Sequence, residues 1–406
     1  MRRVSTSILL VGVFVFAGTG VGAGAPLVPP RAGEQQSFVV DEVLIKLRAG
    51  IDPLPVARSV GAQPVDRVDA LDVIVLKVPA GTVENTVLAL TNNPLVEYAE
   101  PNFIARIQVN PNDPFEDSIC YTTPSEGCVK QWAWKKVQAY EAWTLETGGS
   151  VKIAIVDTGV AKSHEDLPKV FAQRNFVNSS QNADDDNGHG THVAGTIGAL
   201  TNNGRGVSGA NWRVRLLAAK VLDGSGSGTY AAVANGIIWA ADNGAKVINL
   251  SLGGTSPSST LQNAVNYAWN KGAVLACAAG NSGTDDKLYP AAYDKCIAVA
   301  ASNQNNARAG FSNYGAGWVD VAAPGVKILS TIPLATGWGT YAYDAWSGTS
   351  MATPHVAGLA GLIWASGRCG GAKCVRKRIE DRADAISGTG TFWKWGRINY
   401  YKAVKP

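Results

Sequence analysis

The chain reads as α/β: a mainly parallel sheet with helices on both faces, preceded by a small α+β unit. Three observations predict this. From residue 150 onward, short apolar runs rich in Val, Ile and Ala alternate with longer stretches of helical character. Those runs are continuously apolar, as strands covered on both sides are. Glycines, 45 of 406 residues, cluster just past the runs, where open parallel sheets receive ligands and backbone must approach closely. Composition removes other classes. With 46% hydrophobic and 17% charged residues the chain is not disordered, and a net charge of +4 without a basic stripe gives no footing for nucleic acid.

In order along the chain, Met1-Arg2-Arg3, an apolar stretch and Ala23-Gly24-Ala25 have the form of a secretory signal peptide over 1–25, with a linker at 26–37. No later segment is apolar for long enough to span a membrane. Residues 38–107 form the small unit, with strands at 38–47 and 71–78, a weak helix at 55–61 and a helix at 82–92. A last apolar stretch at 95–107 completes an order compatible with a split βαβ, ferredoxin-like sandwich. Pro111-Asn112-Asp113-Pro114 punctuates the junction, and 108–406 is the larger unit. Its predicted strands are 151–156, 216–222, 245–252, 273–279 and 297–301; its helices are 189–200, 229–243, 260–271 and 350–365. The cysteine count is six, and an even count in an exported chain favours disulfides. Nearest-neighbour pairing (120–128, 277–296, 369–374) is the expectation among the fifteen connectivities that six cysteines allow.

Four polar residues carry candidate chemistry. Asp157 ends the first strand of the larger unit, although strand-end aspartates also cap turns. His189 stands between glycines at a helix start, which predicts an accessible ring, whereas His192 and His355 read as packed, hydrogen-bonded imidazoles. Ser350 opens an apolar helix that contains Pro354; a lone serine there would be an N-cap. Asn281 follows Ala278-Ala279-Gly280 past another strand, and its amide could donate to a developing oxyanion or only hold a turn. Competing motifs fail on spacing. His189 and His192 lack the i, i+4 separation and Glu of zinc hydrolases, no Gly-x-Ser-x-Gly elbow occurs, and 224–228 lacks the Gly-Lys-Ser/Thr of a nucleotide loop.

Together, and in the order Asp, His, Ser, the segments around Asp157, His189 and Ser350 closely resemble the subtilisin-like serine proteases (subtilases), the thermitase branch most of all. The segments 224–228, 249–254 and 264–272 extend the resemblance, which runs from about residue 110 to the C-terminus. It implies a secreted, monomeric serine endopeptidase made as a self-processing zymogen. Ser350 would be the nucleophile, His189 its general base, Asp157 the residue orienting His189, and Asn281 an oxyanion donor. It implies an extended polypeptide substrate held between Gly226-Ser227-Gly228 and Ser251-Leu252-Gly253. Ala278-Ala279-Gly280 would wall the primary pocket, and Tyr230 would line a distal apolar one. None of these segments is charged, which implies preference for apolar or aromatic side chains; Leu288, bulkier than the residue many relatives carry, leaves the pocket depth open. The resemblance also implies one structural Ca²⁺, held by side chains of Asp113, Asp166 and Asn203 and by backbone oxygens of Leu200, Arg205 and Val207. A second calcium loop would fall on Asn175, Asn178 and Ser180, which lack its acids. Residues 38–107 resemble the inhibitor-like propeptide, implying a folding chaperone that occupies the cleft until cut between Ile107 and Asn110. The alternative is a catalytically silent subtilase scaffold that serves as a binding module.

Overall fold

The structure, a computed structural model, describes residues 38–107, 131–203, 206–333 and 342–406. The expected signal peptide and linker, Asp113, Arg205, Cys120 and Cys128 lie outside the described residues.

The first unit runs β1 (Phe38–Leu47), α1 (Pro53–Ser59), β2 (Gln63–Val68), β3 (Val73–Lys77), α2 (Val83–Thr91) and β4 (Val96–Ile107). Its strands lie in the order β4-β1-β3-β2, with β1 antiparallel to both β3 and β4. This is the split βαβ arrangement. The sequence reading missed β2, because Gln63–Val68 forms the sheet edge and buries only Val68, so its polar pattern carries no strand signal. Pro64 is tolerated there for the same reason.

The larger unit begins with α3 (Trp132–Lys136), α4 (Ala139–Trp143), β5 (Lys152–Asp157), β6 (Ala172–Asn175), α5 (His189–Gly198) and β7 (Arg215–Lys220). It continues through β8 (Ser227–Thr229), α6 (Tyr230–Asp242), β9 (Val247–Leu250), β10 (Leu252–Gly253), α7 (Ser259–Asn270) and β11 (Val274–Ala278). There follow β12 (Cys296–Ser302), β13 (Val321–Pro324), β14 (Ile328–Thr331), β15 (Tyr343–Trp346) and α8 (Thr349–Ala365). The chain closes with α9 (Ala372–Asp381), β16 (Gly396–Arg397) and α10 (Tyr400–Val404). Eight strands form one parallel sheet in the order β16-β13-β12-β11-β9-β5-β7-β6.

The continuous apolarity of the strands has its cause here. Along β5, Ala154 and Val156 face the core built with α6 and α7, while Ile153 and Ile155 face the core built with α5 and α8. The predicted strand at 245–252 is interrupted at Ser251, which leaves the sheet between β9 and β10. Two expected disulfides are present: Cys277–Cys296 ties β11 to β12 across 5.9 Å between Cα atoms, and Cys369–Cys374 spans 5.4 Å.

The sheet of the first unit packs on α6 and α7 and shares one apolar core with them. Phe103 lies against the Tyr230 ring, centroids 5.3 Å apart. At the start of α7 the Glu100 carboxylate accepts from Ser258 Oγ and from the N–H groups of Ser259 (2.6 Å) and Thr260 (2.9 Å). Asn102 Oδ1 accepts from the Ala231 N–H at the start of α6. Orphan helix donors are thus satisfied by the incoming chain. Burial raises the Glu100 carboxyl above its ordinary range, and these donors oppose the shift.

His192 and His355 belong to the core, as expected. His192 Nε2 donates to the carbonyls of Ile328 (3.0 Å) and Asp344, and its ring stacks on Trp346. His355 Nδ1 donates to the Met351 carbonyl, and the ring lies 4.9 Å from Trp134. Burial depresses His192 to about 3 and His355 to about 4. The unfolded chain, with imidazoles near ~6.5, therefore binds protons that the folded chain refuses. Stability should fall as pH drops from ~6.5 toward 4, by about 1.4 kcal/mol per pH unit for each ring. Denaturant unfolding between pH 7 and 4 checks this, and His355→Gln should make the slope shallower.

Candidate active site

A parallel sheet directs the carboxyl ends of its strands to one edge, and there three neighbouring strands, β5, β9 and β11, each deliver one part of the site. Asp157 ends β5. Its Oδ1 lies 2.7 Å from His189 Nδ1 and also accepts the Thr158 N–H at 2.7 Å; both Asp157 and His189 are fully buried. A carboxylate only accepts, so Nδ1 carries the proton and Nε2 is left with its lone pair. His189 Nε2 is buried and has no hydrogen-bond partner among the described residues.

The turn before His189 is built on Asp185, which the sequence reading passed over. Its Oδ1 accepts from Thr158 Oγ1 and the N–H groups of Asn187 and Gly188, and its Oδ2 from the Thr191 N–H and hydroxyl. Gly188 takes a left-handed φ of 107° to make that turn. Next to it, a β-carbon on Gly190 would stand 2.0 Å from the Gly159 carbonyl oxygen, so only glycine lets α5 approach the Asp157 loop. Lys220, also missed, is buried with its Nζ donating to the Thr158 and Leu222 carbonyls and to Asp186 Oδ1. The signal for Asp185 was its place in a run of three acids just before a Gly-His-Gly turn.

Ser350 is the second residue of α8, which packs against α5. Pro354 lacks the N–H that would bond the Ser350 carbonyl, and Ser251 Oγ donates to that carbonyl instead, at 2.8 Å. In return, Ser350 Oγ donates to the Ser251 carbonyl at 3.0 Å. This exchange fastens the head of α8 to the strand end between β9 and β10. Asn281, just past β11, accepts at Oδ1 from both the Thr349 N–H and the Thr349 hydroxyl, each at 2.9 Å. Since a backbone N–H can only donate, the amide orientation follows, and its Nδ2 is buried without a partner among the described residues. A buried amide donor of this kind, tied to the residue before Ser350 at the helix N-terminus, can stabilise an oxyanion during acyl transfer.

The glycines around His189 predicted an accessible ring, yet both His189 and Ser350 are fully buried. A strand of the first unit runs along this part of the fold. β4 pairs antiparallel with β8 on one side (Ile104 with Thr229, Ala105 with Gly228, Arg106 with Ser227) and with β10 on the other (Leu252 with Ile107, Gly253 with Arg106). These are the segments expected to hold an extended peptide. Ala278, Ala279, Gly280 and Tyr230 are all buried around them. Of the expected calcium ligands, Asp166 Oδ1 lies 2.7 Å from Asn203 Nδ2, its Oδ2 accepts the Val207 N–H at 2.8 Å, and its carbonyl accepts the Leu200 N–H. Burial raises the Asp166 carboxyl above its ordinary range. Asn175, Asn178 and Ser180 satisfy one another and their own turns, with Asn178 Oδ1 accepting from Ser180. No cluster of three or more His, Cys, Asp or Glu side chains suited to a metal occurs among the described residues.

The chain is similar to known proteins over most of its length. Residues 148–390 match the Subtilase family and residues 25–102 the fervidolysin N-terminal prodomain. The chain is 52% identical over 296 residues to thermitase of Thermoactinomyces vulgaris, covering 73% of this chain and 99% of that protein. It is 47% identical over 379 residues to the thermophilic serine proteinase of Bacillus sp. (strain AK1), covering 91% and 89%. Among solved structures, fervidolysin of Fervidobacterium pennivorans, a keratinolytic enzyme related to subtilisin, aligns with a TM-score of 0.75 at 27% identity. That alignment covers 92% of this chain and 62% of fervidolysin. The chain belongs to the subtilase family of serine proteases and carries a propeptide domain ahead of its catalytic domain.

Proposed function

We propose that the chain is the precursor of a secreted serine endopeptidase in which Ser350, His189, Asp157 and Asn281 perform the chemistry and residues 38–107 hold the cleft until cut away. One observation carries the reading: His189 Nε2 and Asn281 Nδ2 are buried, without a partner among the described residues, and fixed in orientation at the strand edge that also anchors Ser350. Buried polar atoms without partners are rare and need a reason, and a substrate that arrives only transiently supplies one.

The steps follow from these atoms. Ser350 Oγ leaves the Ser251 carbonyl and gives its proton to His189 Nε2 as it attacks the peptide carbonyl carbon. Asp157 keeps the imidazole in the needed tautomer and stabilises the imidazolium. The oxyanion accepts from Asn281 Nδ2 and from the Ser350 N–H, in the first turn of α8. His189 then protonates the leaving amine, and water releases the acyl group by the reverse path. Extended substrate pairs with 226–228 and 251–253 as β4 does, and the uncharged walls favour apolar side chains. Self-processing cuts between Ile107 and Asn110, and residues 1–25 direct export.

A bound Ca²⁺ would supply structural stabilisation alone. The buried Asp166 carboxylate beside the Asn203 amide suits a hard cation, and Leu200, Arg205 and Val207 would add backbone oxygens, with Asp113 a further carboxylate.

Ser350→Ala should leave the precursor at full mass while the wild type shortens, and should cost on the order of 10⁶ in casein or peptide hydrolysis. If both proteins stay uncut and inactive, the scaffold alternative holds. Asn281→Leu should lower kcat by about 10²–10³, and Thr349→Val, which loses one bond orienting the amide, should lower it by about tenfold with little change in KM. Chelation should lower the melting temperature of the wild type but not of Asp166→Asn; a wild-type melt indifferent to chelator excludes the calcium site.

A further inference from the structure

The amino ends of the parallel strands form the edge opposite the catalytic one, and three cations stand there side by side. Lys152 opens β5 and pairs in register with Arg215, which opens β7. Lys246, the residue before β9, donates its N–H to the Lys152 carbonyl at 2.9 Å and so flanks Lys152 on the other side. Neighbouring strands lie about 4.8 Å apart, so one cation is rooted on each strand at that spacing. The sequence shows no basic stripe because the three come from distant segments, and only parallel register lines them up.

None of the three forms an ion pair among the described residues. Rings and a carbonyl hold their heads instead. Lys152 Nζ donates to the Asn243 carbonyl at 2.8 Å and lies 5.0 Å from the centroid of the Phe171 ring. The Arg215 guanidinium lies 5.1 Å from the same ring, and Lys246 Nζ 5.3 Å from the Trp364 ring. Phe171 is 52% exposed, so it keeps two charged heads at the surface. The carboxylate of Asp242, next to Asn243, is already engaged by Lys271 Nζ at 3.1 Å and by the Tyr267 hydroxyl. Like charges set directly beside one another repel, and an anionic ligand would relieve that repulsion.

We propose that this edge binds an extended polyuronate, a polysaccharide that carries one carboxylate on each sugar. The strand spacing is close to the length of one sugar in such a chain, so successive carboxylates meet successive cations. The Arg215 fork can take its carboxylate bidentately. The ring contacts order the charged heads before the ligand arrives, which lowers the entropic cost of binding. A row one charge wide suits a single strand, whereas bilayers and duplexes draw on broader basic clusters. β5 spans six residues, roughly 20 Å at about 3.3 Å per residue, so a polymer on this edge leaves the catalytic edge free. The chain is thereby tethered at one edge of the sheet while the other stays open to polypeptide.

The test measures binding of the full chain to immobilised polygalacturonate. Affinity should fall by about tenfold between about 50 and 200 mM salt, as expected when about three contacts release counterions. The triple variant Lys152→Gln, Arg215→Gln, Lys246→Gln should bind about tenfold or more weakly. A control triple that removes the same charge elsewhere, Arg58→Gln, Lys135→Gln, Lys287→Gln, should change affinity by less than about twofold. Peptide hydrolysis by the processed enzyme should be unchanged with the polymer bound. Equal binding by the wild type and the edge triple overturns the proposal, as does an equal loss in the control triple. Equal binding to fully methyl-esterified polymer overturns it too, and tighter binding to duplex DNA or to anionic lipid vesicles assigns the edge to another ligand. If melting curves show the triple unfolded, the double variant Arg215→Gln, Lys246→Gln, both exposed positions, decides by the same criteria.

Discussion

A parallel sheet covered on both faces leaves its strand ends as the place where polar side chains can meet a ligand, because every other strand position is committed to one of two apolar cores. Asp157, Ser251 and Asn281 follow from that constraint. Each stands at or just past the end of one of three adjacent strands, and each makes the hydrogen bond that aims its partner: Asp157 to His189, Ser251 to Ser350, and Asn281 to Thr349. The helices that carry His189 and Ser350 can begin at this edge only because small residues let them approach it. Gly190 against the Gly159 carbonyl is the closest instance.

The same edge explains how the propeptide domain relates to the site. β4 belongs to the four-stranded sheet of the first unit and at the same time fills the gap between β8 and β10, so one strand serves as core element and cleft occupant. Its own Glu100 and Asn102 place acceptors on the orphan N–H groups of α7 and α6. The attachment thus combines strand addition, helix capping and apolar burial, three kinds of interaction that reinforce one another without requiring any single strong contact.

Much of the catalytic half was legible in the sequence because its signals are local. Continuous apolar runs marked the central strands to within two residues at most ends, and glycine-flanked Asp157, His189 and Ser350 stood where strands stop or helices start. What escaped lacked a local signal. β2 is polar because it is an edge strand; Asp185 reads as one acid in a run, although its two oxygens accept five hydrogen bonds that shape the turn before His189. The accessible ring expected for His189 was wrong for a related reason: flanking glycines describe the local chain alone, and in the folded protein the ring is fully buried.

The sequence by itself determined the alternation of the central strands and helices and the place of the four candidate polar residues at strand and helix ends, since periodicity and turn chemistry act over a few residues. Only the tertiary structure decided which of their atoms stay unpaired, what lies in the cleft, and which cations share the amino-end edge of the sheet. Those are properties of contacts between segments far apart in the chain, made by packing at close-contact density, and no local pattern encodes them.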